Sequence, residues 1–262
     1  MNVLSLLLPI LLSVLCLTPL SAQPLDRQAL QQALLAPERD VADRIRDSAR
    51  KPIIVLEFLE LKAGMRVLEL YAANGYYTYI LAKAVGPEGV VYAQNAPRIA
   101  SFEDNIGERS QAEALAAMLA KTALQNVHPL LRPSTDLGLP VNSIDFVLLS
   151  QILHDYYNRN PQSALQLLQH LYEFVVPGGV VGIIDHIGEQ GLDNSRMHRM
   201  TIDEARRTAM LAGFEIEAQS DVLHNPQDNH RRSIFDPMLN RQTDQFVLRL
   251  RKPMDIAPQT QN

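Results

Sequence analysis

The sequence predicts an α/β fold: a mostly parallel sheet with helices on both faces. Three observations predict it. Short apolar runs alternate with helix-length segments from residue 52 to residue 250. Those runs are almost continuously apolar, the pattern of strands buried on both faces. The composition is that of an ordinary globular chain, 47% apolar and 20% charged over 262 residues, with a net charge of −5. That balance excludes a disordered chain and a multi-span membrane protein. A mildly acidic chain without Trp also argues against general nucleic-acid binding. No repeat and no low-complexity linker divides the chain, so one main domain is expected.

Residues 1–22 carry no charged side chain, and Leu, Ile and Val dominate them. With Leu20-Ser21-Ala22 at its end, this stretch reads as a secretory leader, and the mature protein is expected to be periplasmic or secreted. An uncleaved leader would instead anchor the chain to a membrane. Cys16 is the only cysteine, so cleavage would remove disulfides, thiolate nucleophiles and cysteine metal ligands together. Residues 23–50 are polar and rich in Arg, Asp and Gln, and read as a peripheral helical extension. Pro52 opens an apolar stretch that ends before Gly64, standard helix punctuation. Strand 65–70 follows, then helix 76–85, closed by Gly86-Pro87. Strand 89–93, an Ala-rich helix over 111–123 and strand 127–131 come next. Strand 144–149 precedes an amphipathic helix over 162–175, and Pro177-Gly178-Gly179 turns into strand 180–184. Thr201 and Glu204 have capping-box spacing at the head of a helix that ends at Gly213. Strands 214–218 and 245–250 have no helix between them, so the last strand is expected to be antiparallel. The main domain thus spans 51–253, with 254–262 as a disordered tail.

Several local sequences are specific. Leu61-Lys62-Ala63-Gly64-Met65-Arg66-Val67-Leu68-Glu69-Leu70, Ser143-Ile144-Asp145-Phe146-Val147 and Val176-Pro177-Gly178-Gly179 occur in this order. Together they resemble the approaches to strands one, four and five of the class I S-adenosylmethionine (SAM) methyltransferases. That resemblance implies a Rossmann-like, seven-stranded sheet with an antiparallel last strand, and SAM as cofactor. Gly75-Tyr76-Tyr77-Thr78, Leu153-His154-Asp155, Asp185-His186 and Thr243-Asp244-Gln245-Phe246 look like a narrower group, the exported bacterial methyltransferases of unassigned substrate.

A SAM cradle needs a loop that passes close to the cofactor and a helix N-terminus with free N–H donors. The family pattern is an acid, one residue, then Gly-x-Gly-x-Gly. This chain has Glu69-Leu70-Tyr71-Ala72-Ala73-Asn74-Gly75. Glu69 and Gly75 match, while Tyr71 and Ala73 stand where glycines are expected. The acid that closes strand two in the family is replaced by Gln94-Asn95, an amide without charge assistance for the ribose. The resemblance therefore implies cofactor contacts from Glu69, Tyr71, Ala73, Asn74, Gly75, Tyr76, Tyr77, Asn95, Asp136 and Ser150.

In open α/β sheets the crevice lies at the carboxyl ends of the strands. Five of the seven histidines, His154, His186, His198, His224 and His230, fall in the loops on that side. Histidine suits proton removal near neutral pH. His154 with Asp155 beside it is the first candidate base and His186 the second; the bland alternative has them capping a helix and packing under a loop. His154, Asp155, Asp185 and His186 come from adjacent strand ends, but no sharp ligand spacing marks a metal site, and none is expected. No Gly-x-Ser-x-Gly elbow supports a hydrolase. Loop 220–243 is long, and Arg231-Arg232 would make it a lid over an anionic or polar acceptor. The expected function is methyl transfer from SAM to a small-molecule or lipid-like acceptor in the cell envelope. The competing expectation is a non-catalytic small-molecule-binding protein that kept the fold and lost SAM binding.

Overall fold

The computed structural model describes residues 23–97 and 110–254. The expected leader and residues 255–262 of the expected tail lie outside the described residues. Seven strands form the main sheet: β1 (Arg66–Leu70), β2 (Val90–Asn95), β3 (Val127–Leu131), β4 (Ile144–Ser150), β5 (Val175–His186), β6 (Glu215–Ser220) and β7 (Gln245–Arg251). Their spatial order is 3-2-1-4-5-7-6. Strands one to five pair in parallel, and β7 is antiparallel to both β5 and β6. This is the Rossmann-like sheet expected from the sequence, with its antiparallel last strand. The central strands have near-complete burial, Val67, Leu68, Phe146, Val147, Leu148 and Leu149 all at 0%, which explains their unbroken apolar runs.

Nine helices surround the sheet in the described residues: α1 (Arg27–Leu34), α2 (Val41–Arg50), α3 (Pro52–Phe58), α4 (Tyr76–Val85), α5 (Gln111–Thr122), α6 (Leu153–Arg159), α7 (Pro161–Phe174), α8 (Asn194–Met197) and α9 (Ile202–Leu211). Ser110 and Thr201 cap α5 and α9 in full capping boxes with Glu113 and Glu204. The first N-terminal helix is not peripheral. Leu30 of α1 is 1% exposed and joins the core cluster that holds Tyr76, Tyr79 and Ile80 of α4. Gln23–Pro24 pairs antiparallel with Lys62–Ala63, tying the start of the described chain to the approach to β1. No helix among the described residues is long and apolar enough to cross a membrane.

One topological fact positions the site. From β1 the chain winds outward through β2 and β3; from β4 it winds the other way through β5. The order reverses between β1 and β4, and a crevice opens where their carboxyl ends diverge.

Candidate active site

Residues 71–75 leave β1 in an alternating conformation. Tyr71, Ala73 and Gly75 have φ of 56°, 51° and 95°, all left-handed. These are the three positions of the glycine pattern, so the backbone path is kept where two glycines are gone. A side chain in that region costs about 1–2 kcal/mol per residue. The two amides at the end of β2 offset it. Gln94 Oε1 accepts from the Tyr71 N–H at 3.0 Å, and its Nε2 donates to the Arg132 carbonyl. Asn95 grips Ala73 from both sides: Oδ1 accepts its N–H at 2.9 Å and Nδ2 donates to its carbonyl at 3.0 Å. The Tyr71 hydroxyl shares a 2.7 Å hydrogen bond with Tyr156, whose hydroxyl also pairs with Ser134.

The crevice holds a cavity of about 400 Å³, within the range of small-molecule sites. Its floor is Glu69 of β1 with Tyr71, Ala72, Ala73, Asn74, Tyr76 and Tyr77 after it, and Ser150 at the end of β4 with Gln151, Ile152 and Asp155 after it. Its roof is α2, through Ala42, Asp43, Arg46 and Arg50, with Gln111 and Arg241 at the sides. Arg50 lies 4.4 Å from the Tyr76 ring centroid and donates to Gln151 Oε1 at 3.1 Å. Arg39, 4% exposed, pairs with Asp47, which also accepts from the Tyr76 hydroxyl at 2.9 Å. Glu69 is fully enclosed. Burial pushes its carboxyl up to about 8, against the pull of its hydrogen bonds from the Thr78 hydroxyl and backbone N–H and of the Arg50 charge. It caps the first turn of α4, where Gly75 supplies no side chain. Burial likewise pushes Tyr77 up to about 12 and raises Asp43, the latter against Arg46 and Arg39.

Several expected contacts belong elsewhere. Gly75 does not line the cavity; a Cβ there would stand 2.4 Å from Met118 Cε and 3.0 Å from Leu115 Cδ1. Its glycine is required by its φ and by the approach of α5, not by access to a ligand. Asn95, 2% exposed, is spent on the loop backbone and does not line the cavity. Asp136 is on the surface, paired with Arg132 at 3.2 Å. Arg231 and Arg232 line a different, more open cavity of about 690 Å³ with Asp193, Arg196, Asn229 and Asp236. Although larger, that cavity touches no strand end. The long loop contributes Arg241, not its Arg pair, to the crevice.

The histidines are also redistributed. His154 is 2% exposed and does not line the cavity. Its N–H and Nδ1 meet the Asp185 carboxylate at 2.9 and 2.6 Å, and its Nε2 lies 3.2 Å from Asp155 Oδ1. Burial opposes its charge, but Asp185 and Asp155 overcome this and raise it to about 10. With Nδ1 engaged by Asp185, Nε2 facing Asp155 and no exposure to the cavity, the ring offers no nitrogen to a substrate there, which corrects the expectation of His154 as base. His186 fails for a different reason. It is 5% exposed, its Nδ1 meets Thr243 Oγ1 at 2.7 Å, and burial next to the His154 charge holds it neutral, away from the cavity. Of the three expected catalytic residues only Asp155 reaches the cavity wall. Its carboxyl stays below the ordinary range: burial opposes, but His154 and His198 prevail. The sequence reading missed the α2 residues. Asp43, Arg46, Asp47 and Arg50 have one-face helical spacing, the signal that was there to be read. Nothing local marks Arg241.

The comparisons bear on the fold and on the family. Residues 48–121, from the end of α2 to the end of α5, match the model of the protein-L-isoaspartate(D-aspartate) O-methyltransferase family. The demethylmenaquinone methyltransferase of Listeria monocytogenes is 26% identical over 133 residues, 50% of this chain and 48% of the relative. The chain thus spans about half the length of the curated relatives it matches. A SAM-dependent methyltransferase from Aquifex aeolicus superposes with a TM-score of 0.59 at 20% identity, covering 86% of this chain and 97% of that one. The [4+2]-cyclase SpnF superposes with a TM-score of 0.56 at 17% identity, covering 89% and 97%. The fold is that of the class I SAM methyltransferases, and the matched family and curated relatives are methyltransferases. The cyclase shows that the fold alone does not fix the reaction.

Proposed function

We propose that this chain, built on the class I methyltransferase fold, is a SAM-dependent methyltransferase whose acceptor is a small or lipid-like molecule in the cell envelope. The observation that carries the reading is the loop from Tyr71 to Gly75, which keeps the left-handed path of the glycine pattern at the sheet's switch point, beside a small-molecule-sized cavity. The residues fit the amino-acid end of SAM. A buried acid, Glu69, and the head of α4 form one wall, and the Arg46 and Arg50 charges lie above it. They fit the ribose less well, because Asn95 is committed to Ala73 and no acid replaces it. When bound, SAM supplies a methyl group on a sulfonium. The protein's part is alignment: α2 lies along the cavity, and Tyr71, its hydroxyl held by Tyr156, walls one side. Asp155, the ionised group on the wall after β4, faces the acceptor side.

The curated relatives are named for demethylmenaquinone, which supports the lipid-like class. So do Leu35, Val41 and Ile45, exposed at 77%, 59% and 70% on and beside the helix that roofs the cavity. The charge-free leader supports an envelope location. Loss of the ribose acid favours the second reading, a binding protein that no longer takes SAM. One titration separates them. Calorimetry of the mature chain with SAM and with S-adenosylhomocysteine should give saturable one-site binding, weakened at least tenfold in Arg50→Ala. Absence of heat with both ligands would leave only the second reading.

A further inference from the structure

Three side chains beside the cavity form a cluster of which the methyl-transfer reading uses only Asp155. His154 and Asp155 open α6, and His198 caps α8 in the segment after β5. One donor atom from each lies within 4.8 Å of the other two. His154 Nε2 is 3.2 Å, and His198 Nδ1 3.1 Å, from the same Asp155 oxygen. Ligand atoms about 2.0–2.1 Å from a tetrahedral zinc ion stand about 3.3 Å apart, so these two edges already have the length of a coordination polyhedron.

The arrangement behind the cluster is what separates it from a chance grouping. Asp185, 0% exposed, holds His154 through Nδ1 at 2.6 Å and through the backbone N–H at 2.9 Å. That turns Nε2 toward Asp155 and His198. A buried carboxylate on the far nitrogen of a ligating imidazole is the standard outer shell of a histidine metal site. His198 is held on its other side by the Phe235 ring, 4.9 Å between centroids, and sits at a left-handed φ of 54°. His186 packs against His154 from a third side but is turned to Thr243. The grouping therefore differs from the four residues that adjacency in sequence suggests: Asp185 stands behind the cluster, and His198 completes it.

We propose that His154, Asp155 and His198 bind one divalent transition-metal ion of the zinc class, with Asp185 as the orienting carboxylate. Two imidazoles and one carboxylate suit zinc and similar borderline ions, and poorly suit magnesium or calcium. Three protein ligands leave a coordination position open. Asp155 lines the cavity, so the cluster borders the crevice. On the methyltransferase reading, which this consequence rests on, the open position takes an oxygen of the acceptor. The binding itself needs neither SAM nor an acceptor.

The test uses the full mature chain, stripped with a chelator and titrated with Co²⁺ as the spectroscopic probe and Zn²⁺ as competitor. The expected result is visible ligand-field absorption that saturates at one Co²⁺ per chain and is abolished by Zn²⁺. His198→Ala, at a half-exposed side chain, and Asp155→Asn should each weaken Co²⁺ binding at least tenfold. His224→Ala, an imidazole outside the cluster, should leave it unchanged. Far-UV circular dichroism checks that each variant is folded. No saturable Co²⁺ spectrum in the parent chain overturns the proposal, as does parental affinity in both folded cluster variants. A chain that binds Co²⁺ at this site but not SAM upholds the metal site and sinks only the methyltransferase reading.

Discussion

Ala73 is a residue in the wrong conformation for its side chain. Its φ of 51° is held by the two hydrogen bonds it shares with Asn95, one accepted and one donated by the amide. Removing the Cβ relieves strain without touching those bonds, so Ala73→Gly should raise stability by about 1 kcal/mol net of the added chain entropy, read as a shift in urea midpoint at unchanged m. Tyr71 does not allow the same test, because its hydroxyl anchors Tyr156. Glu69 carries a different penalty. Its carboxyl is raised by burial from 4.5 to about 8. The folded protein therefore keeps a proton that the unfolded chain has lost through that range. The associated stability is full below the unfolded value and is lost as pH rises through the folded one, with a slope of up to about 1.4 kcal/mol per pH unit. Glu69→Gln keeps an acceptor for Thr78 and removes the titration. The stability of the parent relative to Glu69→Gln should fall between about pH 5 and about pH 8 in urea titrations; a constant difference would mean that Glu69 is ionised throughout.

Helix α2 shows how an element can be legible in its pattern and illegible in its role. Apolar periodicity reports which face is buried in a core, and α2 has no buried residue at all. Its one-sided signal is charge, with Asp43, Arg46, Asp47 and Arg50 on adjacent turns, and a charged face ordinarily points to water. Here that face roofs a cavity, and the exposed face carries Val41 and Ile45. The β1 loop has the opposite history. Its place after an apolar strand and before Gly75 made it readable as a cradle, but its lost glycines hid that the backbone path survives, because the compensating amides come from β2. What holds α2 in place is Asp47, which pairs with Arg39 and accepts from Tyr76. Asp47→Ala would strand the buried Arg39 guanidinium and should cost about 3 kcal/mol. Amide exchange in α2 should accelerate more than in the sheet, and affinity for any ligand of the cavity should fall with it. Exchange unchanged in α2 would mean that the helix is held by its other contacts.

At the scale of the whole molecule, the parallel sheet followed from alternation and the antiparallel last strand from the missing helix before β7, both written in local sequence. The side-chain networks that join distant loops were not, since they pair residues far apart in the chain with no periodic signal. The clearest case ties together the segments after β5 and β6. Arg199 and Asp228 are both fully buried and meet at 2.9 and 3.0 Å. Arg199 also donates to the carbonyls of Ile187 and Arg232, while Asp228 accepts from the Asp244 N–H at 2.8 Å. Asp244 in turn holds His224 and His230. The long loop is thus clamped to the approach to β7 and to the turn that carries His198, and Arg241 reaches the cavity from a fixed base. Removing one partner of such a pair leaves a buried charge uncompensated, so Asp228→Ala should cost about 3–5 kcal/mol in urea unfolding. Replacing both partners removes the charge problem, so Arg199→Met with Asp228→Leu should recover most of that loss. The double variant would still lack the bonds to Ile187, Arg232 and Asp244. Amide exchange across 221–244 should therefore stay faster than in the parent even where global stability returns. A loop as protected in the double variant as in the parent would show that packing alone, and not this ion pair, holds the two segments together.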